Sequence, residues 1–199
     1  FDCRNNSKSF AQIVADVFSA NKIKVYIFNQ LRPTPELSFA VKTLNCNCGI
    51  VLTASHNPPE YNGYKVYWKD GGQIVPPIDK LLIEEINNVS FEEIKFNRNT
   101  NLIETIGKLI DDKFISSSIK TGKVDDITDR ENIKIVFTSL HGTSSTIMPK
   151  VFEKIGYKNV LYVHKQMEPN GNFPTVKSPN PEEKEALSLG LDLAKQNDA

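Results

Sequence analysis

Ser55, His56 and Lys65 are the residues whose types and spacing could do chemistry together. They lie in the run Thr53-Ala54-Ser55-His56-Asn57-Pro58-Pro59-Glu60-Tyr61-Asn62-Gly63-Tyr64-Lys65. Asn57-Pro58-Pro59 can continue neither a strand nor a helix, so the serine belongs to a fixed loop. Asn62-Gly63 is a turn signal that reverses the chain. Such a reversal could return Lys65 and His56 to the neighbourhood of Ser55, converging a hydroxyl, an imidazole and an ammonium group. A serine hydroxyl is a weak nucleophile without an activating base. A phosphoserine already holds the group to be transferred, and it needs cations to offset its charge and a base to take the acceptor's proton. Lys65 could be that base if its pKa were lowered. The plain alternative is a turn in which Ser55 and Asn57 bond local backbone and Lys65 is one solvated lysine among many.

The flanking elements decide how such a loop would be presented. Residues 49–53 read as an apolar strand, so Ser55 falls just past its C-terminal end, the edge of open α/β sheets where ligands bind. Before it, 7–20 reads as an amphipathic helix with Phe10, Ile13, Val14, Val17 and Phe18 at helical spacing, 23–28 as a strand, and 36–44 as a helix after the Arg32-Pro33-Thr34-Pro35 break. This β–α–β order predicts a parallel pair with a right-handed crossover. After the loop, 64–68 and 73–75 suggest a hairpin around Asp70-Gly71-Gly72, with helices over 78–88 and 102–120. Residues 121–132 are polar and read as a linker. The pattern then restarts: strand 133–137, helix 143–155, strand 159–163, a long loop, and a last helix from Pro181 with Asn180 as its N-cap. The expectation is two α/β units, 1–110 and 111–199, the second incomplete. Both ends look cut: Phe1 runs straight into a polar stretch, and Ala199 ends in helix-like sequence.

The loop motif, Thr53 to Pro58 followed by Tyr61-Asn62-Gly63-Tyr64-Lys65, resembles the phosphoserine signature of the α-D-phosphohexomutase superfamily, which includes phosphoglucomutases and phosphomannomutases. Asp2-Cys3-Arg4 with Ser7 resembles the Asp-x-Arg-x-x-Ser element near the start of that family's first domain. Leu140-His141-Gly142-Thr143 resembles the turn after the first strand of its second domain. Asn172-Phe173-Pro174 and Ser178-Pro179-Asn180-Pro181-Glu182 resemble the second domain's long loop. The stretch Gly63 to Trp68 is nearest the phosphoglucomutase and phosphopentomutase branch. The resemblance implies an α/β fold of two consecutive three-layer units with mixed sheets flanked by helices. It implies that Ser55 is the phosphorylated serine, that Lys65 is the general base, and that His56 lies beside the phosphoserine and helps place or neutralise it. It also implies phosphate- or substrate-binding roles for Arg4, His56 and Lys65. The implied cofactors are Mg²⁺, bound to the Ser55 phosphate with aspartate ligands beyond Ala199, and a sugar bisphosphate activator. The implied partner is a small sugar phosphate, the implied reaction phosphotransfer between the 1- and 6-positions of a hexose. The Asp-x-Asp-x-Asp-Arg metal loop of the family does not occur in this sequence, so the 199 residues alone are expected to be inactive as a mutase.

Composition narrows the classes further. Of 199 residues, 39% are hydrophobic and 24% charged, with a formal net charge of zero, ordinary for a globular protein. The balance offers no basic surface for nucleic acid or anionic membrane. No apolar run approaches the roughly 18 residues of a membrane span. Cys46 and Cys48 are too close for an ordinary disulfide, and an odd count of three cysteines reads as reduced thiols in a cytoplasmic protein. Two thiols at that spacing without a partner pair are a weak metal signal. His141 reads as a cap or packing group, His164 as structural, and Tyr67 and Trp68 as packing residues. Glu84-Glu85 and Glu92-Glu93 read as solvated faces.

Overall fold

The computed structural model describes residues 1–122 and 128–199. The middle of the expected 121–132 linker, residues 123–127, lies outside the described residues. The elements run α1 (Ser7–Ala20), β1 (Val25–Phe28), α2 (Thr34–Thr43), β2 (Cys48–Leu52), β3 (Tyr64–Trp68), α3 (Ile78–Asn88), β4 (Ile103–Ile106) and α4 (Lys108–Thr121). The second unit adds β5 (Lys134–Phe137), α5 (Met148–Ile155), β6 (Asn159–Tyr162) and α6 (Ser188–Gln196). The fold is α/β, with parallel and antiparallel strands both present.

The expected β1–β2 pair does not form. β1 pairs in parallel with β4, Val25 opposite Ile103 and Phe28 opposite Ile106. β2 pairs antiparallel with β3, Cys48 opposite Trp68 and Leu52 opposite Tyr64. β4 occupies part of what the sequence suggested as one long helix over 102–120. Ile103-Glu-Thr-Ile106 carries β-forming residues, but its partner lies some 78 positions upstream, beyond the reach of a local periodicity. Gly107 then precedes α4. The suggested 64–68/73–75 hairpin keeps its turn, with Trp68 N–H donating to Gly72 O at 2.7 Å, but its second arm shrinks to a single bridge from Gln73 to Tyr67.

α1 forms where expected, with its buried face set differently. Ser7, Ala15 and Ser19 are the buried positions, while Phe10 and Ile13 remain exposed. Small side chains one turn apart let the helix approach the strands closely. Phe28, Ala40 and Ile110 form a buried cluster beneath Phe39, Leu44 and Ile106, joining β1, α2 and α4.

In the second unit β5 and β6 are parallel. Phe137 meets Phe152 edge-on at 5.5 Å and Tyr162 at 6.1 Å, which ties both strands to α5. The suggested 143–155 helix is a 3₁₀ turn over Thr143–Thr146 followed by α5, with Pro149 in the first turn, where its missing N–H is tolerated. The last helix begins at Ser188 rather than Pro181. Asn180 does accept from Glu182 N–H at 3.1 Å, but that bond closes a local turn.

α4 joins the two units. Lys150 Nζ of α5 lies 3.6 Å from Asp111 Oδ2 of α4. Asp111 in turn receives a two-pronged hydrogen bond from Arg32, Nε at 2.9 Å and Nη2 at 3.0 Å. Glu36 sits beside this pair, fully buried, with Arg32 Nε 3.8 Å away and no hydrogen-bond donor on either carboxylate oxygen. Burial, followed by the contact with the Asp111 carboxyl, pushes the Glu36 pKa up to about 8. Burial also pushes Asp111 up, but the hydrogen bonds from Arg32 and Glu36 together outweigh it and hold Asp111 below its ordinary range. A proton on Glu36 makes it a donor toward Asp111 and spares one buried charge.

Candidate active site

The loop between β2 and β3 is shaped from behind by Arg4. Arg4 is 3% exposed, and its guanidinium points away from solvent. Nη1 donates to Pro58 O at 2.9 Å and Tyr61 O at 3.0 Å, and Nη2 donates to Ser55 O at 2.9 Å and to Asn57 O. Four carbonyls of a segment that can form neither helix nor sheet are thus satisfied by one cation. Asp2 orients the clasp: its Oδ1 accepts from Arg4 N–H at 2.9 Å and from Ser7 Oγ at 2.7 Å, and its Oδ2 lies 3.6 Å from Arg4 Nε. Asn62 closes the far end, donating to Asn5 O at 3.1 Å and Ser7 Oγ at 2.9 Å. The Asp-x-Arg-x-x-Ser element and the serine loop are therefore one construction.

Held in this way, Ser55 is exposed and adopts φ of 57°, the left-handed region that residues with a Cβ seldom occupy. Its N–H donates to Thr53 Oγ1 at 3.0 Å. His56 Nδ1 lies 3.4 Å from Ser55 Oγ. Both side chains face a cleft of about 330 Å³. The opposite wall comes from the second unit: Ser139, Leu140, Gly142, Thr143 and Ser144 of the turn after β5, and Phe173 of the long loop. Leu140 and Phe173 are left-handed as well, each with φ of 47°. Three strained non-glycine residues on one cleft are the pattern of a functional site, because such strain costs roughly 1–3 kcal/mol each and survives only where the surroundings impose it.

The sequence-predicted residues separate. Ser55 and His56 are brought together. Lys65 lies on β3 opposite Val51, and it is not among the residues that line the cleft. The turn at Asn62-Gly63 does reverse the chain, with Thr53 N–H donating to Gly63 O at 3.0 Å, but each residue of β3 then leads away from Ser55 down the β2 ladder. Arg4 was expected to contact phosphate; its Nη donors are turned to the loop carbonyls instead, and the ring of Phe173 covers its guanidinium at 5.4 Å. His141 is 2% exposed, between Glu168 O and the Thr175 hydroxyl at 2.9 Å each, a packing role. His164 is exposed.

The second-unit wall was legible only as a resemblance at Leu140 to Thr143, and the contributions of Ser139 and Ser144 carried no separate signal. Arg32 also lines the cleft, although its sequence context reads merely as a strand breaker.

No group of three or more metal-ligating side chains occurs among the described residues. Asp2, which lines the cleft, is committed to Arg4 and Ser7. The residues present therefore do not by themselves fit a Mg²⁺ site. The three cysteines are free thiols, and burial pushes Cys3 up to about 11, so it remains protonated near neutrality. No described helix is long and apolar enough to cross a membrane.

Comparisons with known proteins agree with this geometry. Two family models, described as phosphoglucomutase/phosphomannomutase alpha/beta/alpha domains I and II, match residues 1–93 and 112–199. A phosphoglucomutase of Staphylococcus saprophyticus is 38% identical over the whole chain, which spans 37% of that relative. A phosphoglucomutase of Staphylococcus aureus is 36% identical, again over the whole chain and 36% of the relative. The chain thus spans little more than a third of the length of these curated relatives. A crystal structure of a Thermus thermophilus protein, provisionally assigned as a phosphomannomutase, superposes with a TM-score of 0.76 at 25% identity, covering 96% of this chain and 41% of that one. The fold of Paramecium parafusin matches over 98% of this chain and 39% of that one, with a TM-score of 0.70 at 17% identity. By its serine loop, its two consecutive α/β units and these matches, the chain belongs to the phosphoglucomutase/phosphomannomutase family.

Proposed function

We propose that this chain is the phosphate-carrying part of a phosphoglucomutase-type enzyme, with residues 1–110 and 111–199 as its first domain and part of its second. Ser55 Oγ is the carrier. In the first half-reaction the P–O bond to Ser55 breaks and a P–O bond to a hydroxyl of the sugar phosphate forms, giving a sugar bisphosphate. The hydroxyl proton passes to a general base, for which Lys65 is the candidate. Ser55 Oγ takes a proton from water as it departs. After the bisphosphate turns over in the cleft, its other phosphoryl group returns to Ser55 Oγ, which gives its proton back to water, and the base protonates the sugar oxygen from which that group leaves. His56 sits beside the phosphoserine and helps offset its charge. Arg4 positions the loop and does not touch the sugar.

The observation that carries this reading is the exposed, left-handed Ser55, clasped through its own carbonyl by a buried arginine at the mouth of a cleft that both units line. A serine in a mere turn has no need of a buried cation spent on its backbone. The names of the relatives favour glucose phosphate over mannose or pentose phosphate as substrate. Mg²⁺, expected of such an enzyme, would need ligands beyond the described residues, and no step here is assigned to it.

The test is Ser55→Ala in the full-length protein, assayed as glucose 1-phosphate to glucose 6-phosphate conversion with Mg²⁺ and glucose 1,6-bisphosphate. Covalent transfer loses its carrier, so kcat should fall by several orders of magnitude. Intact mass should show about 80 Da on the wild-type protein and none on the variant. Retained turnover sinks the proposal. A wild-type protein that binds the sugar phosphate without turnover is a binding protein, and mannose or ribose 1-phosphate run in parallel would reassign the sugar.

A further inference from the structure

Arg4 spends its outer nitrogens on the Ser55 loop, two bonds from Nη1 and two from Nη2. Its Nε is buried and finds no acceptor within hydrogen-bond distance among the described residues, with Asp2 Oδ2 at 3.6 Å. A guanidinium whose donors are used up in its own plane can still be held through its flat face. That face is covered by Phe173, whose ring centroid lies 5.4 Å from Cζ. Arg4 precedes α1 in the first unit, and Phe173 belongs to the long loop between β6 and α6 in the second. The clasp on the serine loop is therefore closed from across the boundary between the units.

The long loop is built to deliver that ring. Phe173 is 4% exposed and has φ of 47°, a conformation that a residue with a Cβ keeps only where its surroundings impose it. Its N–H donates to Asn170 O at 3.1 Å, and Asn170 N–H donates to His141 O at 3.0 Å. Just before Phe173 the loop lies flush on the segment that carries Arg4. A Cβ at Gly171 would stand 2.6 Å from Asn5 N and 2.9 Å from Cys3 O, both of them backbone atoms. Asn5 Nδ2 donates to Asn172 Oδ1 at 2.8 Å, and Asn5 O accepts from Asn62 of the serine loop at 3.1 Å. Strain kept at a buried contact between two units, rather than relaxed into solvent, marks a constraint that the site imposes.

We propose that Phe173 is a positioning residue for the Ser55 loop: stacked on the Arg4 guanidinium, it fixes the tilt of the clasp, and Gly171 is the small residue that lets the long loop come close enough to do so. A tilt of the guanidinium moves four carbonyls together, Ser55 O among them. The place of Ser55 Oγ in the cleft is thereby set by a side chain of the other unit. Phe173 acts through Arg4 and not on the reacting atoms. Its effect on turnover rests on Ser55 being the phosphate carrier, and its effect on the loop does not.

Phe173→Leu in the full-length protein tests this, because leucine stays apolar and lacks the ring face. The readout is amide exchange of Asn57 and Tyr61, whose N–H groups donate to Ala54 O and Pro58 O within the serine loop at 3.1 Å each. Both should exchange about 10-fold faster while Val25–Phe28 of β1 keep their rates, since the lost contact on a desolvated cation loosens that loop alone. For glucose 1-phosphate, kcat should fall about 10- to 100-fold with KM within about 2-fold, the mark of a displaced carrier rather than a lost substrate contact. Phe173→Tyr, which keeps the ring face, should exchange and turn over as the wild type does. Unchanged exchange at Asn57 and Tyr61 in Phe173→Leu means that the clasp holds itself, which overturns the proposal. Acceleration that spreads equally to β1 makes Phe173 a packing residue only and also overturns it. A raised KM with the loop unchanged assigns Phe173 to sugar contact, a third refutation. Should Phe173→Leu fail to fold, Gly171→Ala, which keeps the ring but pushes the loop off Asn5, decides by the same readout. A wild-type protein without turnover sinks the reading of Ser55 as carrier, and exchange at Asn57 and Tyr61 then decides for Phe173 by itself.

Discussion

Replacing Glu36 by Gln should remove a pH dependence that the wild-type fold carries between about pH 4.5 and pH 8. Glu36 is fully buried and its oxygens meet no donor, so its ionised form is disfavoured in the folded chain, where its pKa rises from 4.5 to about 8. The folded state then holds a proton that the unfolded state has released over that window. Stability is greatest below the unfolded pKa and declines as pH rises through the folded one. The full shift of 8 − 4.5, at 1.36 kcal/mol per unit, sets a ceiling of about 5 kcal/mol. The charges that face Glu36 are Arg32, Asp111 and, through Asp111, Lys150, and they share the proton's effect, so about 2–4 kcal/mol is expected. Asp111, whose pKa is lowered, contributes in the opposite sense, its stabilisation being lost only as pH falls into the acid range below the window. Glutamine keeps the shape, cannot ionise, and donates to Asp111 at every pH. Thermal unfolding from pH 5 to 8.5 should show the wild-type Tm falling by about 5–15 °C more than that of the variant, taking about 2–4 °C per kcal/mol for a chain of this size. Parallel curves would refute the reasoning, because they would mean that Glu36 is ionised in both states.

Three further outcomes follow from the site. Arg4→Ala strips four loop carbonyls of their donor; after partial re-solvation of an exposed loop the loss should be about 3–5 kcal/mol by urea unfolding, with proteolytic nicking between Ala54 and Gly63, and a loss under 1 kcal/mol would show that the loop holds itself. Gly63→Ala places a Cβ 2.7 Å from Thr53 O, a backbone atom that cannot swing aside, so about 1–3 kcal/mol should be lost, and an unchanged Tm would contradict the close approach. His141→Ala orphans Glu168 O in the second unit and leaves the Thr175 hydroxyl to Gln166 Nε2, so it should cost about 1–3 kcal/mol, while a fall in kcat with stability intact would reassign His141 to the chemistry.

Local sequence determined the elements and the reactive loop. Apolar spacing placed α1, β1, α2 and β2 within a few residues, because helix and strand periods are properties of short windows. Asn57-Pro58-Pro59 and Asn62-Gly63 announced a rigid, reversing loop, and the motif around Ser55 named its family. Pairing was left to the tertiary structure. β1 took a strand 78 residues downstream rather than its neighbour in sequence, and Ile103 to Ile106 became a strand only because an edge was waiting for it. Site membership was decided there too. Arg4 and Lys65 are both cations near the serine in sequence or motif, yet a buried position among orphan carbonyls turned one into a clasp, and strand register set the other on β3 opposite Val51. The wall of Ser139 to Ser144 comes from the second unit, across a docking fixed by Asp111, Lys150 and Phe173. The physical reason is common to all of these. Propensity and turn chemistry act within a few residues, whereas desolvation, edge pairing and the meeting of distant loops depend on which surfaces the whole chain brings into contact.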